Sequence, residues 1–327
     1  MNPKSPAAAA VPRAYVLVSP VRDEIEFVRH TLDAVTGQSL PPQLWIIVDD
    51  GSTDGTSEVL AQYAARFPYI RVHRRKNRGA RSVGPGVIEA FYEGLAEVPD
   101  LSAFGYLGKL DMDLDLPPRY FEILIERMET ESRIGTCSGK AYFPGPSNLE
   151  KSWGGELISE GLGDEMSVGA SKFYRVDCFQ QIGGFVRQVM WDGIDCHRCR
   201  MLGWIAVSWD DPELRFIHLR PMGSSQHGIL TGRKRHGFGQ YFMGTSLLYM
   251  TASAAFRATH RPYVVGGAAM WWGYLSSWLE RKTRFDDPEF RHFLRRYQRS
   301  CLLFGKSRAT ARLDRQQMAR WQPGGRP

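Results

Sequence analysis

The chain has 327 residues, 43% hydrophobic and 24% charged, and its 42 Lys and Arg against 35 Asp and Glu give a formal net charge of +7. That balance excludes a disordered tail and an integral channel, and fits one large α/β domain with an appendage, or two ordinary domains. Five scattered cysteines exclude a disulfide framework and fit a reducing cytoplasm, while the positive surface favours nucleoside diphosphates, other polyanions or an acidic membrane leaflet.

Residues 1–13, MNPKSPAAAAVPR, contain an alanine run too short and too weakly apolar for a signal-peptide core, and are expected to form a disordered leader. Residues 14–19 (AYVLVS) predict a buried parallel strand that Pro20 ends, followed by a helix over 24–36. A second buried strand, 44–48 (LWIIV), stops abruptly in Asp49, Asp50 and Gly51. Residues 52–54 can cap a helix over 55–67, after which 70–74 predicts a strand and 83–97 a helix. A further strand over 103–110 runs into Asp111, Asp113 and Asp115, with Pro117 and Pro118 opening the next helix. Past 135 the elements shorten, with a helix expected over 192–202 and strands over 204–209 and 214–219. Such alternation implies a mostly parallel sheet with helices on both faces, in which ligands bind beyond the carboxyl ends of the strands. Both acidic clusters would meet there.

Asp111 and Asp113 flank Met112 directly after a buried strand. Alternate side chains of an extended segment point the same way, so both carboxylates can reach one cation. Hard cations such as Mg²⁺ or Mn²⁺ take one or two carboxylates together with substrate phosphates.

Taken in order, VSPVRDE, VDDGSTDGT (48–56), KLDMD (109–113), QQIGGF (180–185) and MWDGIDCHRCRMLGW (190–204) resemble the large inverting glycosyltransferase family 2, over roughly residues 14–235. The resemblance implies an α/β fold of GT-A type, a Rossmann-like, mostly parallel sheet flanked by helices. It implies a nucleotide pocket lined by Pro20, Glu24, Asp50 and Arg78, with Asp50 on the base, and with Arg75 and Arg81 as competitors for the Arg78 position. It makes Asp111 and Asp113 the ligands of a Mg²⁺ or Mn²⁺ ion on the donor diphosphate, Asp111 counting also as a donor-binding residue. His218, in FIHLRPMGSS, falls where similar enzymes carry a third metal or diphosphate ligand.

Inverting transfer needs a general base to take the acceptor proton while the diphosphate leaves from the opposite face. Similar enzymes carry Glu-Asp eleven residues before a glycine, and counting back from Gly203 gives Asp192, with Trp191 in place of the glutamate. Asp195, one helical turn on, is the runner-up. The Gln-x-x-Arg-Trp signature of processive synthases is absent, and in its place GRKRHGFGQYFMG (232–244) predicts a glycine-rich loop that closes over the diphosphate through Arg233 and Arg235.

Cys196 and Cys199 lack the second ligand pair of a zinc site, the G-P-G at 84–86 lacks the third glycine of a dinucleotide fingerprint, and no nucleic-acid-binding pattern appears. The uncharged, aromatic stretch 262–279 is near the lower length for a membrane span, and Phe285, Phe290, Phe293 and Leu294 alternate with arginines as in an interfacial helix. The expected organisation is a catalytic domain over 14–235, with a nucleotide-binding half (14–115) and an acceptor half (116–235), and a helical, membrane-associating region over 236–327. The expected partners are a UDP- or GDP-sugar donor, a glycan or lipid-linked acceptor and the inner face of the cell membrane, with no nucleic acid. A nucleotide-sugar-binding scaffold without turnover is the alternative.

Overall fold

The computed structural model describes residues 12–77, 79, 84–144, 157–220, 229–259 and 263–322. All but the last two residues of the expected leader lie outside these, as do Arg78 and Arg81. The first half alternates: β1 (Tyr15–Val21), α1 (Val28–Thr36), β2 (Leu44–Asp49), α2 (Thr56–Arg66), β3 (Ile70–Arg74), α3 (Pro85–Ala96), β4 (Tyr106–Leu110). Then come β5 (Leu114–Asp115), α4 (Tyr120–Thr130), β6 (Ile134–Gly139), β7 (Ala141–Pro144), β8 (Leu157–Ser159), β9 (Ser171–Arg175), α5 (Val176–Gln181), α6 (Trp191–Met201), β10 (Ile205–Trp209) and β11 (Phe216–His218). Five helices close the chain: α7 (Ile229–Met243), α8 (Leu247–Ala258), α9 (Val265–Leu279), α10 (Pro288–Phe304) and α11 (Lys306–Gln316).

Seven strands form the main sheet in the order β10-β6-β9-β4-β1-β2-β3. β1 pairs in parallel with β2 and β4, and β2 with β3, whereas β9 runs antiparallel to both β4 and β6. Alternation within the apolar runs explains why both faces are covered. Tyr15, Leu17, Trp45 and Ile47 pack on one side with Val28, Leu32 and Phe121, while Val16, Val18, Ile46 and Val48 pack on the other with Ile88, Phe91 and Phe179. Each such buried side chain contributes about 1.5–3 kcal/mol. A smaller sheet, β5-β11-β7-β8, pairs His218 with Leu114 across an antiparallel ladder and so carries His218 to the end of β4.

Two expectations are corrected in the C-terminal part. The glycine-rich segment read as a loop is the helix α7, which runs on through residue 236. Its glycines serve close packing: a Cβ on Gly237 would lie 1.9 Å from the carbonyl oxygen of Met270, and one on Gly273 of α9 would lie 2.1 Å from that of Lys234. The amphipathic stripe read as interfacial faces the protein, since Phe290 and Leu294 of α10 are buried with Ile194 of α6 and Phe242 of α7, and Phe285 packs against them. Segment 262–279 supplies α9, and among the described residues no helix is long and apolar enough to cross a membrane.

Candidate active site

A cleft of about 360 Å³ opens at the carboxyl ends of β1, β2 and β4. Of the residues expected there, Pro20, Glu24, Asp50, Asp111, Asp113, Asp192, His218, Arg233 and Arg235 all line it. Asp195 does not.

Asp50 follows β2 and is almost fully buried. Arg75 donates to its Oδ1 at 2.7 Å, and Arg22 to its backbone carbonyl at 2.9 Å. Arg75, one of the competitors for the Arg78 position, thus contacts Asp50, while Arg78 and Arg81 lie outside the described residues. Asp49 turns the other way and accepts from the Ser52 amide at 2.8 Å, and Asp54 accepts from the Ile25 and Thr56 amides at 3.0 Å each. These two are turn and helix-start groups, as Asp favours in such positions.

At the end of β4, Asp111 is paired with Lys109, whose ammonium also donates to the Gly169 carbonyl at 3.0 Å. Asp113 is buried between Arg220, whose Nε is 2.7 Å away, and His218, whose Nε2 is at 3.4 Å. Burial pushes the Asp113 carboxyl up, but His218 and Arg220 outweigh it and hold the group at about 2. Burial likewise works against the His218 cation, yet Asp113 and Glu160, the latter 3.1 Å from Nδ1, push it up to about 10. Arg220 reaches on to Glu24, so one guanidinium ties two of the expected site carboxylates together. Asp115 sits in β5 away from the cleft, its carboxyl raised by burial.

Asp192 and Asp195 separate clearly. Asp192 occupies the first turn of α6, where the helix dipole favours a carboxylate, and faces the cleft. Gly169 leaves room for it, since a Cβ there would lie 2.7 Å from Asp192 Oδ2. Asp195 is 1% exposed and paired with Lys172 and Tyr174. Burial raises its carboxyl while Lys172 opposes the rise. Lys172 also donates to the Asp192 backbone carbonyl at 2.8 Å, which pins the start of α6 to β9.

Trp191 has its ring 5.1 Å from the Lys109 ammonium and 5.7 Å from that of Lys172. The aromatic face adds a cation–π contact to two ammonium groups already paired with Asp111 and Asp195. On the far wall α7 presents Arg233, Arg235 and His236. The Nε of Arg233 is buried with no hydrogen-bond partner among the described residues, and burial lowers the pKa of Arg235. His236 is lowered by burial and pushed back by Asp192, which places the two within electrostatic reach.

Sequence reading passed over Lys109, Arg220 and Lys172. Each had a visible signal: a lysine or arginine inside or next to an otherwise apolar strand is costly unless a carboxylate meets it.

Asp111 and Asp113 are hard oxygen donors on one cleft, and their chemistry fits a divalent cation completed by phosphate oxygens. As arranged here, both carboxylates are met by the chain's own cations, and His218 donates from both ring nitrogens. Among the described residues no cluster of three or more His, Cys, Asp or Glu is grouped as a preformed metal cage.

Comparison with known proteins adds the following. Residues 16–157 match the family described as Glycosyl transferase family 2. Poly-beta-1,6-N-acetyl-D-glucosamine synthase of Staphylococcus epidermidis is 26% identical over 128 residues, 39% of this chain and 28% of that protein. Glycosyltransferase AglE of Haloferax volcanii is 31% identical over 88 residues, 24% and 29% of the two chains. The chain thus spans less than a third of the length of the curated relatives it matches. Among solved structures, S. aureus TarS 1-349 in complex with UDP is similar at a TM-score of 0.51 and 11% identity, over 94% of this chain and 90% of that one. GalNAc-T7 with UDP, GalNAc and Mn²⁺ is similar at 0.54 and 14%, over 86% and 53%. At these identities the likeness establishes the fold, and the expected GT-A type arrangement is borne out.

Proposed function

We propose, from the match of residues 16–157 to glycosyl transferase family 2, that the chain transfers a sugar from a UDP- or GDP-sugar to an acceptor hydroxyl with inversion. The observation that carries this is the convergence of Asp50, Asp111, Asp113 and Asp192 on one cleft at the carboxyl ends of the parallel strands. Asp50, held by Arg75, receives the nucleoside, with Pro20 and Glu24 on the adjoining wall. Asp192 takes the proton from the acceptor hydroxyl as that oxygen attacks the anomeric carbon. The bond to the diphosphate breaks on the opposite face, and Arg233 and Arg235 meet the charge that develops there. Asp111 and Asp113 would hold Mg²⁺ or Mn²⁺, which when bound offsets diphosphate charge, with His218 and Arg220 orienting Asp113. Asp195 serves through Lys172 to set the start of α6.

Catalysis in polysaccharide or glycolipid assembly, at the inner face of the cell membrane, completes the proposal. It draws on the synthase relative and on the apolar C-terminal helices. Turnover is tested by release of nucleoside diphosphate from a panel of UDP- and GDP-sugars with Mg²⁺ or Mn²⁺. Release should fall by about 100-fold or more in both Asp113→Ala and Asp192→Asn. Nucleotide binding without release from any donor, with or without short glycan acceptors, would favour a sugar-nucleotide-binding scaffold, the reading that Trp191 in place of glutamate leaves open.

A further inference from the structure

α8 and α9 form a hairpin that is apolar on both sides. Their inner faces are packed: Gly267 of α9 lies so close to α8 that a Cβ would stand 2.4 Å from the Ala254 carbonyl oxygen, and Gly237 and Gly273 bring α9 against α7 just as closely. Their outer faces carry Leu247, Leu248 and Phe256 on α8, and Val265, Trp272 and Leu279 on α9, each between 52% and 69% exposed. On α9 these positions recur every seven residues, two helical turns apart and so on one helix face. The two stripes adjoin, since the Trp271 indole N–H donates to Thr251 Oγ1 across the hairpin at 3.3 Å. From position 246 to 279 the sequence contains no Asp or Glu. An apolar face of this extent, with no acidic group and with Arg257 at the end of α8, is a contact surface that water alone would not favour.

The edge of that face is basic. A cavity of about 400 Å³ at the end of α9 is lined by Tyr241, Trp278, Leu279, Arg281 and Arg284. The Arg284 guanidinium lies 4.6 Å from the Tyr241 ring centroid, and its Nε is buried without a hydrogen-bond partner among the described residues. Lys282 between them in sequence is paired with Glu280 at 3.1 Å, which leaves Arg281 and Arg284 as the cations of the cavity lining.

We propose that the outer face of the α8–α9 hairpin seats in one leaflet of an anionic lipid bilayer, with Arg281 and Arg284 receiving a lipid phosphate at its rim. The proposal gives the lipid-facing part of the proposed function a specific surface. Exposed aliphatic and indole groups bordered by arginines match the acyl-to-headgroup boundary, where apolar burial and attraction to anionic lipid add. Anionic headgroups complement the arginines at this rim. Seated so, the bilayer lies one helix layer beyond α7, which carries Arg233 and Arg235 on the cleft wall.

The test uses the full chain with vesicles of phosphatidylcholine alone, and with about one third phosphatidylglycerol, read by co-sedimentation and by quenching of tryptophan fluorescence with acyl-brominated lipid. The wild type should partition onto the anionic vesicles with quenching, and about tenfold less onto the neutral ones. Leu248→Glu/Trp272→Glu should lower partition by about tenfold or more while leaving far-UV circular dichroism unchanged. Arg281→Ala/Arg284→Ala should bind both vesicle types alike. Wild type that stays in the supernatant with both, or that sediments as a dimer dissociated by Leu248→Glu/Trp272→Glu, overturns the proposal. Binding without quenching overturns it as well, and that readout needs no variant to fold. None of these results requires donor turnover, so failure here and failure of the transferase reading are separable.

Discussion

His197 offers the sharpest check on the packing of the catalytic domain against the C-terminal helices. It lies in α6, nearly fully buried, with its ring 5.4 Å from that of Tyr297 and 6.3 Å from that of Phe290 on α10. Burial, helped by the charges of Arg200, Lys306 and Lys172, pushes its pKa down to about 3 from an ordinary 6.5. The unfolded chain therefore takes up this proton as the pH falls through about 6.5, and the folded chain only near 3. Between these values the unfolded state binds more protons, so stability is complete above 6.5 and declines as the pH falls. At pH 5 the loss from this one group is about 2 kcal/mol. Urea unfolding of the wild type and of His197→Gln at pH 7.5 and pH 5 isolates it. The wild type should lose about 2 kcal/mol more on acidification than the variant does. Equal losses in the two proteins, or an NMR titration of the His197 ring near pH 6 in the folded state, would refute the reasoning and open the α6–α10 contact to solvent.

Other substitutions test the remaining contacts. Gly237→Ala should cost about 3 kcal/mol in denaturant unfolding, because the new methyl meets a backbone carbonyl that cannot rotate away; a variant as stable as the wild type would mean that α7 and α9 are further apart. Asp195→Asn should lower stability by about 3–5 kcal/mol by leaving Lys172 unpaired, whereas Asp192→Asn should stay within about 1 kcal/mol while losing turnover. The reverse pattern would exchange the roles of these two carboxylates. Arg233→Ala and Arg235→Ala should each lower turnover about 10- to 100-fold, with donor affinity measured by calorimetry unchanged. Full activity in both would remove them from the leaving-group site.

The parallel half of the fold was legible because its signals are local. AYVLVS and LWIIV became β1 and β2, the strand over 70–74 became β3, and the helix over 192–202 became α6 within one residue. The cleft was legible for a related reason, since carboxylates at strand ends need only the topology to bring them together. What failed was non-local. Gly237 read as a loop residue because a sequence does not reveal that a second helix, through Met270 and Gly273, approaches to backbone distance. The stripe through Phe290 and Leu294 had the period of an interfacial helix, but periodicity gives an apolar face without saying whether lipid or Ile194 lies against it. Arg220 was hidden because its partners, Glu24 and Asp113, lie far from it in sequence.

The antiparallel strand in the middle of the main sheet has a consequence for how the chain is made. β6 has only β9 and β10 as neighbours, and β4 meets β6 only through β9, so both wait for residues synthesised later. A nascent chain that has emerged as far as residue 157, where the family-matched segment ends, holds a finished ribbon of β1 to β4 and a stranded β6. One edge of β4 and both edges of β6 stand open at that stage, the condition under which chains pair with one another. Ser171–Arg175 covers the β4 edge and one edge of β6, and next to it the Ala170 carbonyl accepts from the Asp111 amide at 2.8 Å. The sheet is complete only once β10 follows, and the cleft only once Asp192, His218 and Arg220 follow, so both draw on residues well beyond 157.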